Sequence, residues 1–281
     1  MESYSVGRWK ISKRKYDLIK KITSEIEISP ITAQILINRG VDSVEAAKEF
    51  LEVPISKIAK PPDLEGFVEA VELIEKSIKS SKKILVFGDY DVDGLTASAI
   101  MIKILKKLGA EVEYYIPDRF EEGYDLNENA VHLVSEENYG LVITVDCGIK
   151  AFEQVEAIRK KGVGVIVTDH HEPGEKIPNA DAVINPKLCS NDSKQYLAGA
   201  GVSFFLAQKT AKHFGLEPVE DIYCGDMIDL AALGTIADSV PLLGYNRILV
   251  KHGLKRLLHT FNNGLKALLE VEGMLNKDGV S

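Results

Sequence analysis

Asp89, Asp91 and Asp93 fall within five consecutive positions of the segment KILVFGDYDVDG, and three carboxylates that close together need a counter-charge. The opening D-x-D-x-D-G matches the start of an EF-hand calcium loop. With Asp89 as the first position, however, the twelfth falls on Ile100 instead of a bidentate Glu, and a strand-like run precedes the acids where an EF-hand needs a helix. A solvated acidic turn is the plain alternative, but the setting argues against it. Ile84, Leu85, Val86 and Phe87 form the continuous apolar run of a strand covered on both faces, and TASAIMIKILKKLGA has the pattern of a helix closed by Gly109. The acids thus occupy a strand-to-helix turn, where open parallel sheets keep their ligand crevice. A divalent cation is the economical counter-charge.

The same ending recurs. ILVFG stops at Asp89, LVITV at Asp146, and VGVIVT at Asp169, His170 and His171. Strands of one parallel sheet point the same way, so groups at their C-terminal ends converge on one edge. A further acid, Asp238, follows LAALGTIAD near an expected helix C-terminus, where negative charge is disfavoured unless a positive partner is present. Oxygen ligands with one or two imidazoles suit Mn²⁺ or Mg²⁺ better than zinc, and two ions would use the whole set. For His170, a hydrogen-bonded core histidine is the alternative to a ligand. Arg119 in PDRF, just past the EVEYYI run, is a candidate phosphate grip, against an ion pair with Glu121 or Glu122. Gly199 and Gly201 open a helix whose amides are candidates for a phosphate, against close packing at a helix start.

The elements that must position these groups are α/β in class. KILVFG, EVEYYIPD, GLVITVDCG and GVGVIVTDHH alternate with helical segments, including ones from about Asn127 and Lys150, and DAVINP offers another strand. This pattern predicts a parallel sheet flanked by helices, with mainly helical structure beyond Gly199. SPITAQILINRGVDSVEAAKEFLEV has helical spacing with start signals at Ser29 and at Asp42 or Ser43, and AKPPDLEG breaks it. The expectation is therefore a small helical region over 1–62 and a larger domain over 63–281. The net charge of −8 is a poor guide to partners when acids cluster at a cation site. Residues 1–21 carry seven basic and two acidic side chains, which suits either a nucleic-acid backbone contact or a solvated basic end. No apolar run suggests a membrane span or an export signal, and Cys147, Cys189 and Cys224 have no metal-site spacing, which together point to the cytoplasm.

The ordered set GDYDVDG, VDCG, TDHH and GTIAD resembles motifs I to IV of the DHH phosphoesterase superfamily. GRWKI, SPITAQILINRG, IPDRFEEGY and LAGAGVSF are similar to its RecJ branch of single-strand-specific exonucleases. The resemblance implies an exonuclease acting 5′ to 3′ on single-stranded DNA in repair and recombination, with two Mn²⁺ or Mg²⁺ ions. It implies that Asp91, Asp93, His170 and Asp238 are metal ligands, that Asp146 bridges both ions, that Asp89 lines the site and that His171 faces the scissile phosphate. Asp169 is expected to orient its neighbours. Single-stranded-DNA-binding protein and a helicase are implied partners. Two departures stand out: Phe87 occupies a place where some relatives carry a histidine, and Asp125 one where glycine is commoner. No glycine-rich GGH motif or OB-fold follows LNKDGVS, so the chain resembles a RecJ ending after its catalytic domain. A small-substrate phosphoesterase with the same metal site, or a metal-free replication scaffold, are the competing readings.

Overall fold

The computed structural model describes residues 13–189, 196–216, 226–276 and 279–280. GRWKI, Arg8 and Lys10 of the basic end, and Cys224 lie outside the described residues. Two compact units are present, Met1–Pro54 and Ile55–Ser281, whereas the sequence suggested a boundary near 62. The short 3₁₀ turn Ile55–Ala59 belongs to the second unit: Gln208 Nε2 donates to the Ile58 carbonyl, and Tyr245 donates to that of Lys60.

In the first unit, α1 (Tyr16–Glu25), α2 (Pro30–Asn38) and α3 (Val44–Glu52) pack around Ile22, Ala33, Leu36 and Ala47. The Ser29 and Ser43 hydroxyls cap α2 and α3 by accepting from the Thr32 and Ala46 amides, as their sequence positions suggested. Helix α1 was not anticipated, because its basic residues masked the apolar stripe that buries Ile19 and Ile22.

The second unit is built on five parallel strands in the order β2-β1-β3-β4-β5. These are β1 (Lys83–Gly88), β2 (Val112–Tyr115), β3 (Tyr139–Val145), β4 (Gly164–Thr168) and β5 (Ala182–Ile184). The α/β class and the parallel sheet are as expected, and DAVINP supplies the fifth strand. Helix α4 (Phe67–Lys79) precedes β1, and α5 (Val92–Lys107) follows it. Then come α6 (Glu128–Glu136), capped by Asn127, and α7 (Phe152–Lys160). Helices α8 (Gly199–His213), α9 (Ile228–Ala237), α10 (Gly244–Leu257) and α11 (Asn263–Val271) follow among the described residues. One face of the sheet buries Leu85, Phe87, Val142, Val165 and Val167 against α6 and α7; α4, α5 and α8 pack against strands too.

Strand order decides where the site lies. From β1 the chain moves to β2 on one side, then returns to β3 on the other. The loops after β1 and β3 therefore diverge and open a crevice between them. Register aligns their ends: Gly88 pairs with Val145, and Val145 with Thr168. The next residues, Asp89, Asp146 and Asp169, thus form one row across the sheet edge.

Candidate metal centre

Each acid in this row is held by its own turn. Asp89 Oδ1 accepts from the Tyr90 amide at 2.7 Å. Asp91 is the N-cap of α5, with its Oδ1 accepting from Gly94 at 2.9 Å, while its side chain faces solvent. Asp93, in the first turn of α5, is buried and reaches across to the start of α8. Its Oδ2 accepts from the Gly199 amide at 2.7 Å and its Oδ1 from Ala200 at 2.9 Å. Helix α8 has no side-chain cap of its own, so Asp93 satisfies its first amides from a distant part of the chain. At the Gly199 amide, offered by the sequence to a phosphate, the structure therefore sets the Asp93 carboxylate. A Cβ on Gly199 would stand 2.5 Å from Asp146 Oδ1, and one on Gly201 would press on Leu197, so close packing accounts for both glycines.

Asp146 is fully buried and left-handed, with φ +63°. A non-glycine residue in that region carries strain that the surroundings must hold. Its amide donates to the Thr168 carbonyl at 2.9 Å, and its Oδ1 has no hydrogen-bond partner among the described residues. Neither has His170 Nε2, which lies 3.1 Å from Asp146 Oδ1, 3.6 Å from Asp238 Oδ2 and 3.7 Å from Asp93 Oδ2. Two donors at right angles around a cation that binds each at about 2.1 Å stand about 3.0 Å apart and further at wider angles, so these spacings lie within reach of one shared ion. The donors fall into three groups: Asp89 with Asp91 and Asp146; Asp93 with His170 and Asp238; and Asp146 with His170 and His171. Asp146 joins two of them. Orphaned buried atoms and a donor set of oxygens with imidazole fit Mn²⁺ or Mg²⁺.

Burial pushes the Asp89 carboxyl up to about 6 and raises those of Asp93 and Asp146 as well, with neighbouring carboxylates adding to the effect. Burial lowers His170 below the ordinary imidazole range, against the pull of Asp93 and Asp238, and so favours the neutral form in which a ring can be a ligand. Asp238 closes α9 and is half-buried, in the unfavourable position at a helix C-terminus that the sequence indicated.

Asp169 behaves differently. Burial raises it, but hydrogen bonds outweigh this and hold it below the ordinary carboxylate range. Its Oδ1 accepts from the His170 and His171 amides at 2.7 and 2.9 Å, and its Oδ2 from Ile149 at 2.9 Å. His171 Nδ1 lies 2.8 Å from the same Oδ1, and this bond chiefly raises the imidazole to about 9. With Nδ1 taken, His171 has Nε2 for other work.

A family model described as the DHH family, N-terminal domain, matches residues 83–235. The chain belongs to the DHH family. Among curated proteins, this DHH chain is 41% identical over 268 residues to the single-stranded-DNA-specific exonuclease RecJ of Bacillus subtilis (strain 168), covering 95% of this chain and 33% of that protein. It is 36% identical over 271 residues to the RecJ of Escherichia coli (strain K12), covering 93% and 46%. The crystal structure of RecJ in complex with Mn²⁺ from Thermus thermophilus matches with a TM-score of 0.78 at 37% identity, over 94% of this chain and 37% of that one. The chain spans less than half the length of these relatives.

The DHH fold also places the two departures. Phe87 is fully buried, with its ring stacked on Tyr115 at 5.5 Å, and belongs to the core beneath the site. Asp125 has φ +81°, the left-handed conformation that glycine favours, and its Oδ1 accepts from the Leu126 amide. Arg119 lies over the Tyr90 ring at 5.4 Å, beside the first motif, while Glu122 is bonded to Tyr115 and Asn127. Sequence reasoning missed Gly234, where a Cβ would meet Thr96 and Asp93, and Tyr124, which touches His171. The glycine of GTIAD was visible as part of a motif; nothing in the local pattern marked Tyr124.

Proposed function

We propose that this chain is the catalytic part of a divalent-metal-dependent hydrolase that removes nucleotides from single-stranded DNA, starting at the 5′ end. The observation that carries this reading is the pair of buried, unpartnered atoms Asp146 Oδ1 and His170 Nε2 at the centre of a carboxylate and imidazole cluster, in a chain similar to RecJ over most of its length. Asp91, Asp93, Asp146, His170 and Asp238 would hold two Mn²⁺ or Mg²⁺ ions, and Asp146, which belongs to two of the donor groups, would serve both. When bound, the ions supply charge stabilisation to the phosphodiester and lower the pKa of a water. Asp89 lines the site and adds negative charge to it. His171, protonated near neutral pH because Asp169 holds its Nδ1–H, directs Nε2–H towards a non-bridging oxygen of the scissile phosphate. Arg119, whose guanidinium lies over the Tyr90 ring, grips a neighbouring phosphate. The polarity rests on the RecJ likeness, as do single-stranded-DNA-binding protein and a helicase as partners. A cytoplasmic setting accords with the free, buried Cys147 and with the described helices, none of which is long and apolar enough to cross a membrane.

The test is hydrolysis of 5′- and 3′-labelled single strands, a duplex and a dinucleotide in Mn²⁺, in Mg²⁺ and in chelator. Metal-dependent shortening of the single strand with early release of the 5′ label is expected, with the duplex resistant. Turnover confined to the dinucleotide would replace this reading with a small-substrate phosphodiesterase. A folded, metal-binding chain without turnover would be a scaffold.

A further inference from the structure

We propose that Tyr124 is a positioning residue: its hydroxyl bridges the His171 ring and the main chain of Asp146, and so sets where His171 Nε2 stands relative to the shared carboxylate. The inference rests on the phosphodiesterase reading above. The Tyr124 hydroxyl lies 3.1 Å from His171 Nδ1 and 3.3 Å from the Asp146 carbonyl oxygen. The two rings meet edge to face, at 5.6 Å and 71°.

The protons decide the direction of this bridge. Asp169 Oδ1 accepts two backbone amides and faces His171 Nδ1 at 2.8 Å. An oxygen that accepts two amides is a carboxylate oxygen, so the proton between it and the ring sits on Nδ1. The phenol then has no acceptor at Nδ1. Its single hydrogen goes to the Asp146 carbonyl, and its lone pair takes a share of the Nδ1–H.

Asp169 and His171 are two residues apart on one turn, and Asp169 Oδ2 reaches the turn after β3 only at the Ile149 amide, three residues beyond Asp146. Tyr124 adds the direct link, from the ring itself to the main chain of Asp146. Its own place is braced on both sides: Gly123 and Asp125 have φ +79° and +81°, the Asp125 carboxylate accepts from Leu126 and is hydrogen-bonded to the Gly148 backbone, and Leu126 is buried. Asn127 and Tyr115 both bond Glu122 ahead of it. A tyrosine that only filled space would not need its hydroxyl at the meeting point of the two catalytic turns.

A double-mutant cycle tests this. Tyr124→Phe, His171→Ala and the double variant are compared for kcat and KM on a single strand in Mn²⁺, and for Mn²⁺ affinity by calorimetry. Tyr124→Phe should lower kcat about tenfold, below the ~100-fold that a full ångström of misplacement costs, with KM and Mn²⁺ affinity unchanged. The loss should vanish in the His171→Ala background, because the hydroxyl acts through that ring. Equal losses in both backgrounds, weakened Mn²⁺ binding, or no loss at all would overturn the proposal. A readout independent of turnover is the ¹⁵N spectrum of the His171 ring: its Nδ1–H resonance should broaden and shift in Tyr124→Phe, and an unchanged resonance would likewise overturn it. If the wild-type chain cleaves no phosphodiester, the functional reading fails, and the ring spectrum alone decides whether Tyr124 holds His171.

Discussion

The two ends of the same sheet both gather acids, and they resolve the repulsion in opposite ways. At the N-terminal end, Lys83 Nζ lies 2.9 Å from Glu113 and 2.5 Å from Glu137, and the Tyr139 hydroxyl donates to Glu113. Those bonds, that of Tyr139 first, pull Glu113 below its ordinary range. At the C-terminal end, the nearest bases to Asp93, Asp146 and Asp238 among the described residues are the imidazoles of His170 and His171, and burial pushes Asp89, Asp93 and Asp146 upward. One cluster carries its own lysine among partly exposed glutamates, while the other is buried and built to be completed by a cation from outside. An acidic cluster alone therefore says little; what distinguishes the site is buried carboxylate without a described lysine or arginine beside it.

The largest expected effect of breaking this contrast is at Asp146. Asp146→Asn keeps the shape and tolerates the left-handed backbone, so the fold should survive and melt higher in chelator, since repulsion among buried acids is relieved. Turnover in Mn²⁺ should fall by about 10³-fold or more, the scale of losing a key electrostatic group. A steady-state assay beside a melting curve checks both; near wild-type turnover would remove Asp146 from the site.

The two histidines should fail differently. His171→Ala should depress kcat about 10²-fold while leaving Mn²⁺ binding intact. His170→Ala should weaken Mn²⁺ binding and recover part of its activity in excess metal. Calorimetry with kinetics separates them, and equal loss of metal binding in both would merge the two roles.

Proton linkage gives a smaller, signed effect. Asp89 has its pKa raised to about 6 by burial, so the stability it contributes is present at low pH and lost as pH rises through about 6. The metal-free chain should therefore lose stability at this site between about pH 4 and 6, with little further loss up to pH 7. Mn²⁺ should raise the melting temperature more at pH 7 than at pH 5, and a free concentration of 100 times Kd is worth about 2.7 kcal/mol. Melting in chelator and in Mn²⁺ at both values is the measurement.

The smallest effect is expected at the other end of the sheet. Lys83→Met should leave turnover within about twofold of wild type and lower the melting temperature only slightly, since an exposed ion pair contributes little. A large loss of activity would mean that the two ends are coupled.

Much of this was legible in the residues. The apolar runs that end at Asp89, Asp146 and Asp169 are strands of one sheet, because burial on both faces leaves a continuous signal that needs no partner to be recognised. Ser29, Ser43 and Asn127 marked helix starts for an equally local reason, a side-chain oxygen within reach of amides three residues on. Helix α1 was hidden because its apolar stripe is short and surrounded by lysines.

What the sequence determined by itself was thus the class of fold, the chemical identity of the donors and their convergence on one edge of the sheet. These follow from periodicity and from the common direction of parallel strands. Only the tertiary structure decided how the donors are shared out: that Asp93 caps α8 and so occupies the Gly199 amide, that Asp146 stands left-handed between two groups of ligands, that Asp238 reaches His170, and that Tyr124 ties His171 to the turn after β3. Each of these is a contact between residues far apart in the chain, set by strand order and helix packing, and no local pattern of side chains encodes it.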